Sequence, residues 1–411
     1  MRILFVVPYV PNLIRVRPYN LLRYLAEAGH EVTLLTLQSS ADEAADVAHL
    51  ETLLERVIVF DLPKWRSFWN CLRVLPSQRP LQSVFCWQPQ LAETLTELVG
   101  GVEGTIPFDV VHVEHMRGVR YAQHLKKLGT AVPVVWDSVD SISFLFEQAV
   151  EQSKSGFGRL ITRLDLNRTR RFEGQVVGEF DQVLVTSPAD RDAFLRLRPS
   201  GAPPPPITVL PNGTDLDTFY PDETIIREPA TLIVSGKMSY HANITMVLHL
   251  VEAIMPLVWQ QRPDARLLIV GKDPSPAVQA LGQYPQITVT GTVPALVPYL
   301  QQATIAVAPI PYGAGIQNKV LEAMACATPV VVSSAAAKGV TAVPGEQFLV
   351  GRDPAEFAHH VVTLLNDASY RHNIGVNGRH FVQENHDWHK IVTQLTDIYG
   401  QLLPDTRSRN L

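Results

Sequence analysis

The sequence predicts an α/β protein of two parallel-sheet domains, and three observations carry that prediction. At 411 residues the chain exceeds what a single hydrophobic core usually serves, and its 46% hydrophobic content is ample for two. Short apolar runs alternate with longer amphipathic stretches along the whole length, the pattern of repeated βαβ units. In the second half, three of those runs stop at glycine, in Ser235-Gly236, Val270-Gly271 and Thr290-Gly291. Parallel strands that end alike in glycine share a sheet edge where the backbone turns sharply and a ligand can approach.

Composition narrows the function classes. A net charge of -5 gives no global attraction to nucleic acid, and no nucleic-acid module is present. Cys71, Cys86 and Cys326 form no CxxC and have no histidine spacing suited to zinc. A reducing, cytoplasmic compartment is therefore expected, with peripheral contact at the inner membrane face as an extension of it. No metal site is expected. The opening MRILFVVPYVP reads as a first strand broken by Pro8 and Pro11 rather than as a leader. No run of 18 apolar residues occurs, so no membrane span is expected.

In chain order, Ile3–Val7 reads as a buried strand, Tyr19–Ala28 as an amphipathic helix, and Glu31–Leu35 as a second strand. The loop from Pro8 to Arg17 lacks the GxGxxG of a dinucleotide site and carries Arg15 and Arg17 instead. Arginines beyond the carboxyl end of a strand sit where open α/β sheets bind ligands, and ordinary surface arginines are the alternative. Further strands are expected at Val57–Leu62, Val110–Val113, Val132–Trp136 and Gln182–Thr186. The strand ending in Glu114-His115 places His115 at the sheet's carboxyl edge, either facing a substrate or satisfied by backbone. Asp137 and Asp140 end the next strand, where they bind acceptor hydroxyls or cap the following helix. Between Lys64 and Gln88, Trp65, Phe68, Trp69, Phe85 and Trp87 alternate with Lys64, Arg66, Arg73 and Arg79. An irregular flap with its aromatics packed inward is the commoner outcome of such a stretch; a membrane-interface segment is the other. Arg159–Arg171 reads as a locally basic helix, with a solvated face or phosphate headgroups as its two options.

A proline run, Pro203–Pro206, precedes Ile207–Leu210 and the turn at Asn212-Gly213, and the chain then stays polar as far as Pro229. The linker lies here, giving domains of 1–222 and 223–385. Strands are expected in the second at Thr231–Ser235, Leu267–Val270, Ile287–Thr290, Ile305–Ala308, Val330–Ser333 and Phe348–Val350, with a clear helix at Ile244–Gln261. Gly236-Lys237 and Gly271-Lys272 bring lysines to one edge, a phosphate-friendly rim. The last periodic helix, Trp388–Leu403, has an apolar side that needs a surface to cover.

The stretch Ala308–Ser334 organises the rest. Strand Ile305–Ala308 leads through Gly313-Ala314-Gly315 into a helix starting near Gln317 or Asn318, which Thr328-Pro329 ends. A glycine loop feeding a helix N-terminus offers free amides and the positive end of the helix dipole to a phosphate. Lys319 lies in the first helical turn, where the dipole disfavours a cation by about 0.3–1 kcal/mol unless an anion is bound. Glu322 follows on the same face, placed to accept hydrogen bonds from a ribose diol. A simple Lys319–Glu322 pair on a solvated face is the alternative.

In order and spacing, VLPNGTDLDTFYP, VSGK, RLLIVGKDP, TVTGTV and GAGIQNKVLEAMACATPVV resemble the GT4 family of retaining glycosyltransferases. GHEV and DVVHVEH near the start agree, so the resemblance covers nearly the whole chain, with bacterial exopolysaccharide-type transferases as a loose subgroup. It implies the GT-B fold: two Rossmann-like domains with parallel sheets facing a central cleft, and the terminal helix (386–411) returning to the first domain. The nucleotide-sugar donor, UDP- or GDP-linked, belongs to the second domain, and a glycan or lipid-linked acceptor to the first. Glu322 then matches the ribose-binding carboxylate, and Gly313, Gly315, Ile316, Gln317 and Asn318 the loop that meets the diphosphate. Lys237, after Gly236, falls where the family often has an arginine on the phosphates. Thr292 and Val293 match the edge that contacts the base, and His115 matches the histidine near the transferred sugar. His115, Lys237 and Lys319 are thus the catalytic candidates, with Arg15, Arg17 and Asp137 at the acceptor. Two departures stand out: Ala314 occupies the place of the family's first E-x7-E glutamate, and Ala242-Asn243 the place of a second phosphate-binding lysine. No DxD-type acidic pair is placed at this loop, and lysine and amides already supply the positive charge, so no metal ion is expected, and no cofactor beyond the donor. A UDP-sugar epimerase and a non-catalytic nucleotide-sugar binder remain as alternatives.

Overall fold

Two parallel sheets of seven and six strands organise the chain in a computed structural model that describes residues 1–100, 107–152, 156–199, 201, 203–311 and 317–403, with backbone only over 148–152 and 156–164. The first sheet comprises β1 (Arg2–Val7), β2 (Glu31–Gln38), β3 (Arg56–Asp61), β4 (Val110–Glu114), β5 (Val134–Val139), β6 (Gln182–Val185) and β7 (Ile207–Val209). Its order is β3-β2-β1-β4-β5-β6-β7. The second comprises β8 (Thr231–Ser235), β9 (Arg266–Val270), β10 (Ile287–Gly291), β11 (Ile305–Ala308), β12 (Val330–Ser333) and β13 (Leu349–Gly351), in the order β10-β9-β8-β11-β12-β13. Both sheets therefore reverse direction of growth between their first and fourth strands, β1/β4 and β8/β11. In doubly wound sheets a ligand binds at the carboxyl ends of the strands at such a reversal.

Why these segments are strands follows from burial on both faces. Ile3 to Val7 are wholly enclosed, as are Val331 and most neighbours in the central strands, so the sequence shows continuous rather than alternating apolar runs. Expected boundaries hold to within a few residues, and Thr231–Ser235, Ile305–Ala308 and Val330–Ser333 are reproduced as written.

The chain divides into two compact units, Met1–Pro211 with the chain from Ile391 onward, and Asn212–Lys390. The boundaries differ from the expected 222/223 and 385/386 for a hydrogen-bonding reason. Thr214 donates its amide to His386 O at 2.6 Å, Gln301 Nε2 donates to Tyr220 O at 2.6 Å, and Arg379 Nη1 donates to Phe219 O at 2.7 Å. The polar stretch after Pro211 thus belongs to the second unit's fabric, not to a free linker.

The helix Trp388–Leu402 passes into the first unit at Ile391, and there Ile391, Leu395 and Tyr399 are buried, with the Tyr399 hydroxyl 2.6 Å from His112 Nδ1 on β4. Residues 404–411 of the expected 386–411 segment lie outside the described residues. Lys64–Val74 is a regular helix rather than an irregular flap, and its aromatics point outward instead of packing inward.

In the second unit, His241–Gln261 is one helical run of 21 residues, long and apolar enough to cross a membrane by length and composition. Met246, Val247, Leu250, Ile254, Met255 and Val258 on it lie in the core of this unit, which is what makes the run apolar. Leu250–Ile254 within it is a π-helical turn just before Pro256, whose missing N–H and ring clash prevent the regular i→i−4 bond.

Candidate functional site

Beside the reversal of the second sheet, Gly236 follows β8 and Gly271 follows β9, with φ of +148° and +154°. A side chain at Gly271 would collide with Gly236 O, 1.7 Å from the ideal Cβ position, so the two strand ends run in backbone contact. A Cβ on Gly236 would lie 3.1 Å from Lys319 Nζ and 2.8 Å from Asn243 Nδ2. The glycine thus leaves room for these two side chains.

Lys319 belongs to the helix Asn318–Ala325, which follows β11 across the reversal. Its ammonium donates to Asn243 Oδ1 at 2.6 Å, while Asn243 Nδ2 donates to Lys237 O at 2.9 Å. The cation is therefore held over Gly236 by an amide, and the simple Lys319–Glu322 pair is not what the geometry shows. Burial pulls the Lys319 ammonium down to about 8, against the opposing pull of Glu322. Burial likewise pushes the Glu322 carboxyl up to about 7, with Lys319 opposing. Gln317 caps the helix in extended conformation without a side-chain cap bond, so its own side chain does not close off the first-turn amides. Asn318 Oδ1 accepts from Asn212 Nδ2 at 3.3 Å, tying the PNGTD turn to the same helix start.

Lys237 is exposed beyond Gly236, and Lys272 is exposed beyond Gly271. Thr292 is exposed just past β10, and Val293 packs partly against the core. Gly313, Gly315, Ile316 and the substituted Ala314 lie outside the described residues. Asn243 was not singled out as a site residue; its sequence signal was only its place where a lysine was expected.

In the first unit the reversal between β1 and β4 gathers Tyr9, Glu114 and His115. His115 has φ +65°, a left-handed conformation unusual for a residue with a side chain. It starts the helix His115–Leu128 and accepts the Arg117 amide at Nδ1, 3.2 Å away. Nδ1 is thereby an acceptor, which leaves the proton on Nε2. Burial, and then the Arg117 charge, push the imidazole down to about 4, so it is neutral at ordinary pH. Strain of this kind persists where the surroundings fix it, often at functional sites.

Glu114 beside it is buried. The Tyr9 hydroxyl donates to its Oε1 at 3.4 Å, and Oε2 has no hydrogen-bond partner among the described residues. Burial, and then Asp137, hold its carboxyl well above the ordinary range. An enclosed carboxyl with one open oxygen at a strand end was not among the expected site residues, since sequence spacing says nothing of missing partners.

Arg17 and Asp137 require a correction. Rather than facing an acceptor, both are buried, with Arg17 Nε donating to Asp137 Oδ2 at 2.8 Å and Nη2 2.7 Å from it. Arg17 Nη1 also donates to Leu210 O at 3.1 Å, and His112 Nε2 lies 3.6 Å from the same carboxylate. Burial alone would raise Asp137, but Arg17 and His112 hold it below its ordinary value. Arg15 is only partly enclosed, donating to Glu43 Oε1 at 3.0 Å with its guanidinium 4.8 Å from the Tyr9 ring centre. Asp140 does not cap the next helix either. The amides of Ser141 and Ile142 donate instead to Asp190 and Glu173, at 3.0 and 2.8 Å.

Comparison with known proteins agrees with this layout. Residues 14–213 match the family described as "Glycosyl transferase 4-like domain", and residues 229–367 match "Glycosyl transferases group 1". The chain belongs to the GT4-type glycosyltransferases. This GT4 chain is 30% identical over 264 residues to the alpha-maltose-1-phosphate synthase of Mycolicibacterium smegmatis, covering 56% of itself and 65% of that protein. It is 24% identical over 168 residues to an uncharacterized 44.6 kDa protein in the cps region of Klebsiella pneumoniae, covering 39% of itself and 43% of that protein. It thus spans less than two thirds of either curated relative. Among solved structures, the sucrose-phosphate synthase of Thermosynechococcus elongatus superposes with a TM-score of 0.68 at 20% identity, over 98% of this chain and 99% of that one. HepE of Anabaena, solved with UDP, gives 0.67 at 15% identity over 98% and 100%. These likenesses establish the GT-B fold class, with its two Rossmann-like domains.

Proposed function

We propose that this GT4 chain transfers a sugar from a nucleoside diphosphate sugar, UDP- or GDP-linked, to a hydroxyl of a glycan or lipid-linked acceptor. The observation that carries the reading is Lys319: a partly enclosed cation in the first turn of a helix, held by Asn243 above a glycine at the sheet reversal. A cation there opposes the helix dipole, and a bound diphosphate turns that cost into attraction. Glu322, one turn on, accepts the ribose hydroxyls. HepE, bound to UDP and to UDP-glucose in its solved structures, supports a uridine nucleotide as the first donor to try.

The chemistry follows from charge. As the bond from the anomeric carbon to the β-phosphate oxygen breaks, negative charge gathers on that phosphate. Lys319, Lys237 and the first-turn amides stabilise it, with no metal ion required. The acceptor oxygen attacks from the same face, and its proton passes to the departing phosphate oxygen, which retains the anomeric configuration. In the first domain, the Nε2–H of neutral His115 donates to a sugar hydroxyl. The free thiols Cys86 and Cys326, both raised to about 12 by burial, are inert and compatible with a cytoplasmic setting.

Calorimetry with UDP, GDP and their sugars tests the reading, followed by product analysis across an acceptor panel and assignment of the new anomeric centre by NMR. Binding of one nucleotide with retained configuration is the expected result. Failure of every nucleoside diphosphate to bind overturns it. Donor isomerisation without any acceptor would replace transfer with epimerisation.

A further inference from the structure

The helix Lys64–Val74 is built inside out. Its inward side is small and polar: Ser67 is buried, and Asn70 Nδ2 donates to Phe85 O and Trp87 O at 3.4 and 2.9 Å. Its outward side carries Trp65, Phe68, Trp69 and Leu72, exposed by 59, 63, 49 and 40%, with Leu75 at 48% just beyond the helix end. Spacings of three and four residues put these side chains in one stripe. Large side chains scattered singly over a surface need no explanation, but a contiguous stripe marks an interaction site.

The surroundings are predominantly cationic, the nearby carboxylate of Asp165 being engaged by the Leu81 amide at 3.2 Å. From Leu62 to Ala92 the sequence has Lys64, Arg66, Arg73 and Arg79 and no acidic residue, in a chain whose net charge is -5. Two cavities of about 240 and 890 Å³ share Arg79, Gln123 and Lys127. Val74 of the same helix lines the smaller one. Arg120 adds to the first and Arg171 to the second, whose lining includes one carboxylate, Glu179, already accepting from Gln123 Nε2 at 2.9 Å. Burial, and then the charge of Arg79, lower the Arg120 guanidinium, so an anion in this basin would relieve both cations.

We propose that the outward stripe of this helix and the basic basin beside it dock the chain on the surface of an anionic lipid bilayer. Trp65, Phe68 and Trp69 enter the headgroup–acyl boundary, where amphipathic aromatic rings are favoured. Arg73, Arg79 and Lys127 meet the lipid phosphates. Charge selects this occupant over a second copy of the chain, because joining two such faces would set cation against cation. The proposal stands apart from the transfer reading, since vesicle binding needs no sugar donor.

Flotation of the full chain with phosphatidylcholine vesicles, with and without phosphatidylglycerol, tests it. Binding to the anionic vesicles alone is expected, with a blue shift of tryptophan emission as Trp65 and Trp69 leave water. Each cation near such a surface is worth about fivefold in partitioning, so Arg73→Gln with Lys127→Gln should weaken binding about 25-fold. Replacing Trp65, Phe68 and Trp69 together by Ser should abolish it and leave far-UV circular dichroism and nucleotide affinity unchanged. Equal binding to both vesicle types, or to neither, overturns the proposal. So does a concentration-dependent dimer in light scattering that the Ser variant dissolves, which would make the stripe an interface between copies.

Discussion

The two sheets share one strand order and use their reversal points in opposite ways. In the first domain the charges behind the edge are closed upon each other: Arg17, Asp137, His112 and Tyr399 form a buried chain with contacts of 2.7, 3.6 and 2.6 Å. In the second, Lys319 and Glu322 remain partly accessible, and burial moves each toward its neutral form. The same topology thus yields a lock in one place and an open receptor in the other. Partner count makes the difference. Asp137 has Arg17 and His112 and is held charged, whereas among the described residues Lys319 donates to a neutral amide, and it and Glu322 oppose each other's burial only in part.

Removing a member of the lock should have the largest effect. Arg17→Ala leaves Asp137 buried without its cation, and a loss of about 3–5 kcal/mol is expected in denaturant unfolding. A change under 1 kcal/mol would show that the network is not closed as described. Next in size, Lys319→Ala should weaken nucleoside diphosphate binding by about 1.5–3 kcal/mol, the range of hydrogen bonds to charged groups, without lowering thermal stability. If instead it destabilised the fold and spared affinity, Lys319 would be a second lock.

The pH dependence sharpens the contrast. Because Lys319 titrates at about 8 rather than 10.5, nucleotide affinity should fall as pH rises through about 8, and Lys319→Met should flatten that profile. Glu322 works in the opposite sense. Its folded value of about 7 lies above the ordinary 4.5, so its stabilising proton is fully present below 4.5 and lost as pH rises through 7. Glu322→Gln should therefore raise the melting temperature at pH 8 relative to the parent, with the gap closing near pH 4.5. The smallest change is Tyr399→Phe. It removes one hydroxyl contact to His112 and should cost about 1 kcal/mol, read by the same unfolding titration.

Much of this was legible in the residues. Strands such as Ile305–Ala308 are apolar on both faces, a pattern that depends only on local composition. Gly236 and Gly271 announced tight strand ends, and the structure shows why a Cβ is not accommodated at Gly271. The fate of Arg17 was not legible, because Asp137 is 120 positions away and nothing local distinguishes a buried arginine from one that meets a ligand. The helix at Lys64–Val74 misled for a related reason. Aromatics usually face inward, and only tertiary packing shows that Ser67 and Asn70 take that place. Asn243 and Glu114 likewise gain their meaning from partners found or missing in three dimensions.

By itself, then, the order of residues determined the two βαβ series, the glycine-ended rim and the family, since each depends on short-range periodicity and spacing. Tertiary structure alone decided which charges neutralise each other and which stay available. Coulomb energy depends on distance and surrounding dielectric, and both arise only when remote segments are brought together.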